Sequence, residues 1–326
     1  MRRIVNPAQF VIGQMNTIGN KFRLTTFGES HGYAVGGVVD GCPAGLAFDN
    51  ALLATEMERR HIGSLSTTRH EADRVEILSG VYEGRTLGTP IAFIVRNEDV
   101  RSGDYEALAT LYRPGHADYT SEMRYRFRDP RGGGRASGRE TVARVAAGAI
   151  AKMALKPMGV DVHAELLRQE VDVPENDSIG GVIECTVTGV KAGVGNPLFD
   201  KLNARLAAAM MSIPSAIGFE MGTGFAAADM KGSEYRDEWN VDHHSSPLTK
   251  TNHCGGIQGG ISNGMPIVFR TAFHPVVTIP QPTVCIGREG EKRTITPQGR
   301  HDRNHLPRTV VIVEAMAAIT MADFLV

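Results

Sequence analysis

Apolar residues alternate with polar ones, or run unbroken for a few positions, at Phe22–Phe27, Val35–Val39, Val75–Leu78, Ile91–Val95, Val182–Val187, Ile267–Thr271 and Val276–Ile279. Each stretch is read as a strand. Helical spacing covers Asn50–His61, Thr141–Leu155, Pro197–Met211 and Pro307–Phe324. Asp49 is placed to cap the first helix, and Asn196 followed by Pro197 to start the third. Ser137 and Glu140 have the spacing of a capping box ahead of the second. That second helix is dominated by alanine and glycine, and the last is apolar on every side. Helices of this kind need cover all round, which sheets on both sides supply.

The two halves of the chain echo each other. Gly36–Asp40 precedes a helix and then Pro90-Ile-Ala-Phe93; Gly180–Glu184 precedes a helix and then Pro266-Ile-Val-Phe269. The spacings differ, which leaves an internal duplication open. Residues 1–14 carry little pattern and read as an N-terminal extension, and no low-complexity linker divides 15–326, which reads as one domain. Thr309–Val326 is apolar enough to resemble a membrane span. Glu314 and Asp323 interrupt it, so a buried helix is expected, with no membrane partner.

A net charge of −1 gives no global attraction to nucleic acid, so any basic site must come from local clustering. Aromatics make up 6% of the chain and Trp239 is the single tryptophan, which argues against a base-stacking surface and a nucleic-acid partner. Cys42, Cys185, Cys254 and Cys285 form no Cys-x-x-Cys pair. They read as structural thiols of a reducing compartment, and with no signal peptide at the start the expected setting is cytoplasmic.

Six short segments carry candidate chemistry. Gly28-Glu-Ser-His-Gly32 follows a strand and exposes His31, an acid suited to neutral pH. Arg113-Pro-Gly-His-Ala-Asp-Tyr119 turns at Pro114-Gly115 to present His116, with Asp118 placed to orient it. Arg131-Gly-Gly-Gly-Arg-Ala-Ser137 runs into a capped helix, where free amides and guanidiniums make an anion site. Its glycine spacing is neither that of a P-loop nor that of a dinucleotide fingerprint. Arg59-Arg60, with Arg69 and Arg74 nearby, adds positive charge; taken alone it reads as a solvated helix end. The glycine-dense stretch Thr251–Gly264 suits a backbone wall around a flat ligand, or a broad hairpin. Gly299-Arg-His-Asp302 precedes the final helix. His301 and His305 have the spacing of a metal pair only if they lie on a helix, and Pro307 starts the helix beyond them, so no metal is expected.

Taken together these segments resemble the chorismate synthase family. Gly28–Gly32, Arg113–Thr120, the Gly-Gly-Gly-Arg stretch and Gly299–Asp302 occur there in this order, and the similarity runs from Met15 to the C-terminus. The resemblance implies an α+β fold: a single-domain β-α-β sandwich with central buried helices between antiparallel sheets. It implies a lyase that converts 5-enolpyruvylshikimate 3-phosphate to chorismate and phosphate by anti-1,4-elimination, with reduced FMN as cofactor. It also implies a homotetramer and a small phosphorylated substrate. NADP enters only as a family association, through reduction of the flavin. By resemblance His31 protonates the reduced flavin or retains its proton. His116 assists phosphate departure as a cation, and Asp302 helps remove the ring proton. FMN contacts fall on Arg135, Ala136, Ser137, Pro214, Ser215, Gly259, His274, Pro275, Val276, Val277, Thr278 and Arg300. Substrate contacts fall on Arg59, Arg60 and Arg69.

The chain departs from the family pattern where His61 follows Arg59-Arg60 in place of a third arginine, and where Ser64 or Ser66 stands in a shortened loop. Further departures are Gly138 before Arg139, His274 before Pro275, and Arg303-Asn304 after Asp302; the region 168–177 is also short. Several of these remove fixed positive charge, since a histidine is fully charged only below about pH 6.5. A flavin- or phosphoanion-binding homologue with little turnover is therefore the alternative, and a metallohydrolase using His301 and His305 a third reading.

Overall fold

The structure is a computed structural model that describes residues 16–61, 72–98, 110–167, 176–297 and 304–326. β1 (Thr17–Ile18), β2 (Arg23–Gly28), β3 (Ala34–Asp40), β4 (Val75–Ile77) and β5 (Ile91–Arg96) form an antiparallel sheet in the order β1-β2-β3-β5-β4. β6 (Asp161–Leu166), β7 (Gly181–Thr188), β8 (Ala216–Met221) and β9 (Ile267–Phe273) form a second, in the order β6-β7-β9-β8. Alternate residues of each strand turn inward: Leu24, Val35, Ile91, Phe93 and Val95 from the first sheet, and Ile183, Cys185, Val187, Ile267 and Phe269 from the second, are all fully buried. Burial of side chains of this size stabilises the fold by about 1.5–3 kcal/mol each.

The helices fill the space between the sheets. α1 (Asn50–Glu58), α3 (Thr141–Leu155), α4 (Leu202–Met211) and α5 (Leu306–Leu325) share one hydrophobic core with both inner faces, while α2 (Asp118–Tyr125) lies outside that core. α3 packs on the first sheet, α5 on the second, and the two helices pack on each other. This is the expected α+β sandwich, and the apolar C-terminal run is a buried helix. No helix among the described residues is long and apolar enough to cross a membrane.

The echo seen in the sequence is a topological repeat. β2-β3-α1-β4-β5-α3 and β6-β7-α4-β8-β9-α5 follow the same course, and their sheets have matching strand orders. In both halves the long connection after the fourth strand leads into the N-terminus of a central helix. Those two connections carry most of the candidate chemistry.

Two buried carboxylates on α5 fasten the halves together. Glu314 takes both Nη atoms of Arg59 (2.6 and 2.8 Å), Nζ of Lys152 (2.6 Å) and the amide of Ala164 (2.9 Å). Burial pushes the Glu314 carboxyl up, but the hydrogen bonds from Arg59 and Lys152 outweigh it and hold it below the usual range. Asp323 takes the amides of Asn20, Lys21 and Phe22 and a guanidinium nitrogen of Arg205, tying the last helix to the start of β2.

Some sequence expectations need correction. Val276–Ile279 is not a strand; it lies between Pro275 and Pro280 and packs on the turn at Gly115, with no ladder partner. The third helix starts at Leu202, not Pro197, because the Gly260 carbonyl takes the Leu202 amide and fixes the start there. Ser137 and Glu140 do not form a capping box. Ser137 accepts from the Arg139 amide, and the Glu140 carboxylate goes instead to Thr26 (2.7 Å) and Arg144 (2.8 Å). Asp49 does cap α1, accepting from the Leu52 amide.

The central helices meet tightly at Gly148, where an added Cβ would stand 2.3 Å from Ala315 Cβ and 2.5 Å from its Cα. Overpacking a rigid core costs about 1–3 kcal/mol, more than the ~1 kcal/mol by which alanine outranks glycine in a helix. Gly148→Ala is therefore expected to lower the denaturant midpoint of unfolding although it improves helix propensity. A raised midpoint would contradict this packing.

Candidate active site

A single buried carboxylate organises the basic cluster. Asp73 is 5% exposed and sits at a left-handed backbone position (φ 46°). It takes Nε of Arg60 (3.4 Å) and a guanidinium nitrogen of Arg139, and His61 Nε2 stands 3.5 Å away. Arg60 and Arg139 are themselves only 5% and 7% exposed. Arg60 also donates to Thr141 Oγ1 at the first residue of α3 (2.8 Å), and Arg308, in the first turn of α5, acts on it electrostatically. The N-termini of α3 and α5, each with positive dipole character, thus lie close to these arginines. Burial, together with Arg308 and Arg139, overcomes the help of Asp73 and brings the Arg60 guanidinium down to about 10. Asp73 is thus shared by two buried guanidiniums, those of Arg60 and Arg139.

The His31 turn is tied to this cluster. Asn97 Nδ2 donates to the carbonyls of Glu29 (3.0 Å) and Gly32 (2.8 Å), and Asn97 Oδ1 accepts from Arg139 Nε (2.8 Å). His31 Nδ1 meets Ser30 Oγ at 3.1 Å. The ring lies against Gly132, where a Cβ would come within 2.6 Å of it; at φ +92° the backbone also favours glycine. The glycine-rich loop therefore shapes the floor under His31. Its arginines face protein groups: Arg131 pairs with Asp129, and Arg135 donates to Thr26 Oγ1 (2.6 Å) and to the Thr26 and Gly28 carbonyls. Arg135 braces the loop on β2, and Ala136 and Ser137 follow it in a short turn before α3.

A second group gathers around His116. Its Nδ1 meets the Pro114 carbonyl and its Nε2 meets Thr278 Oγ1, both at 2.9 Å. A carbonyl only accepts, so Nδ1 carries the proton and Nε2 accepts from the threonine when the ring is neutral. Burial and then Arg113 push the His116 imidazole down, which favours that neutral form. Asp118 does not orient the ring: its carboxylate takes the Arg113 amide and guanidinium and the Arg128 guanidinium. His274 acts electrostatically on both His116 and His305, and its amide donates to the Ser215 carbonyl (3.0 Å).

His305 Nε2 lies 2.9 Å from Ser215 Oγ, which donates to the Pro214 carbonyl. His305 therefore donates through Nε2, and its buried Nδ1 has no partner among the described residues. A second proton would go to that buried nitrogen. Burial first, then Arg308 and His274, push this imidazole down to about 4.

The structure thus brings together His116, Pro214, Ser215, His274, Pro275, Val276, Val277 and Thr278, and separately His31 with the Arg135–Ser137 loop; Arg60, Arg139 and Arg308 link the two groups. Arg59 stands apart. Its guanidinium is committed to Glu314 and Glu56, so of the arginine pair Arg60 is the one that faces the cluster. Gly259 is not gathered in. Its hairpin touches the first residue of α4, whereas Pro214-Ser215 follows the last turn, about 15 Å away for ten helical residues. Arg69, Arg300, His301, Asp302 and Arg303 lie outside the described residues. Sequence reasoning missed Asp73, Asn97 and Arg308 as site residues. The one available signal was Arg308, the basic residue in the first turn of a largely apolar helix.

Comparison with known proteins decides the family. The family model described as chorismate synthase matches residues 22–173 and 170–326. A chorismate synthase of Cytophaga hutchinsonii is 47% identical over 95% of this chain and 97% of its own length. One of Synechocystis is 46% identical, again over 95% and 97%. A crystal structure of chorismate synthase superposes with a TM-score of 0.74 at 29% identity, covering 94% of this chain and 92% of the other. The chain belongs to the chorismate synthase family. As a member of the chorismate synthase family it is an enzyme, a lyase of aromatic biosynthesis.

Because the folded-state His305 titrates near 4 and an unfolded histidine near 6.5, the unfolded chain takes up this proton first as pH falls. Stability is therefore expected to drop between about pH 6.5 and 4. His305→Gln, which keeps a donor for Ser215, is expected to flatten that slope relative to the parent protein in thermal melts across the window; equal slopes would contradict the assignment.

Proposed function

We propose that this site converts 5-enolpyruvylshikimate 3-phosphate to chorismate and phosphate by anti-1,4-elimination, with reduced FMN as cofactor. The observation that carries the reading is the pair of buried guanidiniums, Arg60 and Arg139, gathered on the Asp73 carboxylate beside the N-terminus of α3. A phosphate dianion or ring carboxylate is attracted to fixed guanidiniums and helix-end amides, and the dry surroundings strengthen that attraction. Arg60 is the anchoring guanidinium, with Arg69 as a further substrate contact.

The donor set fits a flavin. The amides of Val276, Val277 and Thr278 donate to no acceptor among the described residues, and Ser137 Oγ, which accepts from Arg139, retains its own O–H. These groups, with Arg135, Ala136, Pro214, Ser215, His274, Pro275 and Arg300, would hold FMN. When bound, the reduced cofactor lends electron density to the allylic system and takes it back. His305 keeps Ser215 turned toward this segment. His31 holds a proton at its ring beside the Gly132 backbone. His116 starts neutral, and an arriving phosphate dianion reverses the effect of Arg113 and raises its basicity. The ring then takes a proton from solvent at Nε2, with Thr278 Oγ1 changing from donor to acceptor, and stabilises the departing phosphate. Asp302 takes the ring proton as the C–O bond breaks, so that phosphate and chorismate leave with charge and atoms balanced.

The assembly is proposed to be a homotetramer of the cytoplasm. Large apolar side chains left exposed, among them Phe127, Phe199, Phe225 and Ile217, support contact between copies.

Incubated without oxygen with 5-enolpyruvylshikimate 3-phosphate and chemically reduced FMN, the purified chain is expected to release one phosphate per chorismate formed. His116→Asn is expected to lower kcat by about 100-fold or more. Flavin binding without phosphate release by the parent protein would overturn the reading.

A further inference from the structure

The His31 turn and the arginine cluster come from distant parts of the chain, and one side chain joins them. Asn97 follows the last residue of β5. Its amide nitrogen bridges the two carbonyls that bracket His31, those of Glu29 and Gly32, and its own backbone N–H donates to the Tyr33 carbonyl (3.1 Å). Its side-chain oxygen is fixed by Arg139 Nε, and Arg139 is fixed in turn by Asp73 and by the Arg96 carbonyl (3.0 Å). Every donor and acceptor in this chain of contacts has a definite direction. Arg139 can only donate, so the Asn97 oxygen faces it and the NH2 group must face the turn. An asparagine meets both demands at once. A carboxylate there would satisfy Arg139 and repel two carbonyls.

We propose that Asn97 is a positioning residue that holds His31 in register with the Arg60 anion cluster, acting through Arg139 and Asp73. The proposal rests on the reading of the site given above, but its geometric core does not depend on turnover. Asp73 shares its two oxygens between Arg60 and Arg139, so the guanidinium that meets the anion and the one that steers the His31 turn are braced by the same carboxylate. Displacing a catalytic group by about 1 Å is enough to cost about 100-fold in rate.

Two variants test it. Asn97→Ala removes both functions of the side chain. Asn97→Asp keeps the acceptor for Arg139 and deletes the donor to the turn, and it carries the readout should the alanine variant fail to fold. In each, the ring-proton NMR signals of His31, assigned by comparison with His31→Asn, are recorded in the cofactor-free protein. Anaerobic kinetics with reduced FMN are measured in parallel. The expected result is a displaced or broadened His31 signal while those of His116 and His305 stay in place. With it, kcat should fall by about 30- to 100-fold while KM stays within about threefold. An unmoved His31 signal, or a loss of kcat that parallels a general fall in melting temperature, would overturn the proposal. If the parent protein shows no turnover at all, the reading of the reaction fails, and the NMR comparison still decides the role of Asn97.

Discussion

The structure depends on one shared contact: a single buried carboxylate, Asp73, that braces Arg60 and Arg139 together, with His61 beside it. Burial pushes the Asp73 carboxyl up, but Arg60 and Arg139 outweigh it and hold it ionised, so it can neutralise one cation and no more. Buried charge is costly to a fold unless each group is paired and hydrogen-bonded. It is tolerated here because the rest of the molecule is over-determined. Two sheets clamp a helical layer, and Glu314 and Asp323 fasten that layer to both ends of the chain. A stable scaffold can thus hold an anion site poised for a ligand with phosphate and carboxylate groups.

The duplicated topology explains how distant segments reach one place. Each half sends its fourth strand into a long connection and then into a central helix, and α3 and α5 pack against each other at Gly148 and Ala315. The connection in the first half delivers Asn97, His116, Arg135 and Arg139; that in the second delivers His274, Thr278 and His305. Their meeting points are side-chain hydrogen bonds across the repeat, above all Thr278 to His116. Neither half contains a complete site.

Much of this was legible in the sequence. The alternation in β2, β3, β5, β7 and β9 and the all-round apolar character of α3 and α5 gave the sandwich, because those patterns follow from burial on one face or on all. Order and spacing of His31, His116 and the glycine-rich loop gave the family. The chemistry of individual side chains was less legible, because it depends on partners far away in the chain. Nothing local distinguishes Arg59, locked on Glu314, from Arg60, which faces the anion site. Asp118, two residues from His116, is drawn off by Arg113 and Arg128. His305 looked like half of a metal pair and is a neutral donor to Ser215. Val276–Ile279 had the composition of a strand, yet it lies between two prolines, and the amides of Val276, Val277 and Thr278 meet no acceptor among the described residues.

The central claim is that the buried Arg60 guanidinium, braced by Asp73, binds the substrate. It is tested most directly by thermal unfolding of the parent protein and of Arg60→Met, each with and without 5-enolpyruvylshikimate 3-phosphate. A ligand at 100 times its Kd stabilises the folded state by about 2.7 kcal/mol. The parent protein should show a rise of that order. The variant, relieved of repulsion from Arg139 and Arg308, should melt close to the unliganded parent and gain nothing from the substrate. A variant that responds to the substrate as the parent does would show that the anion is held elsewhere.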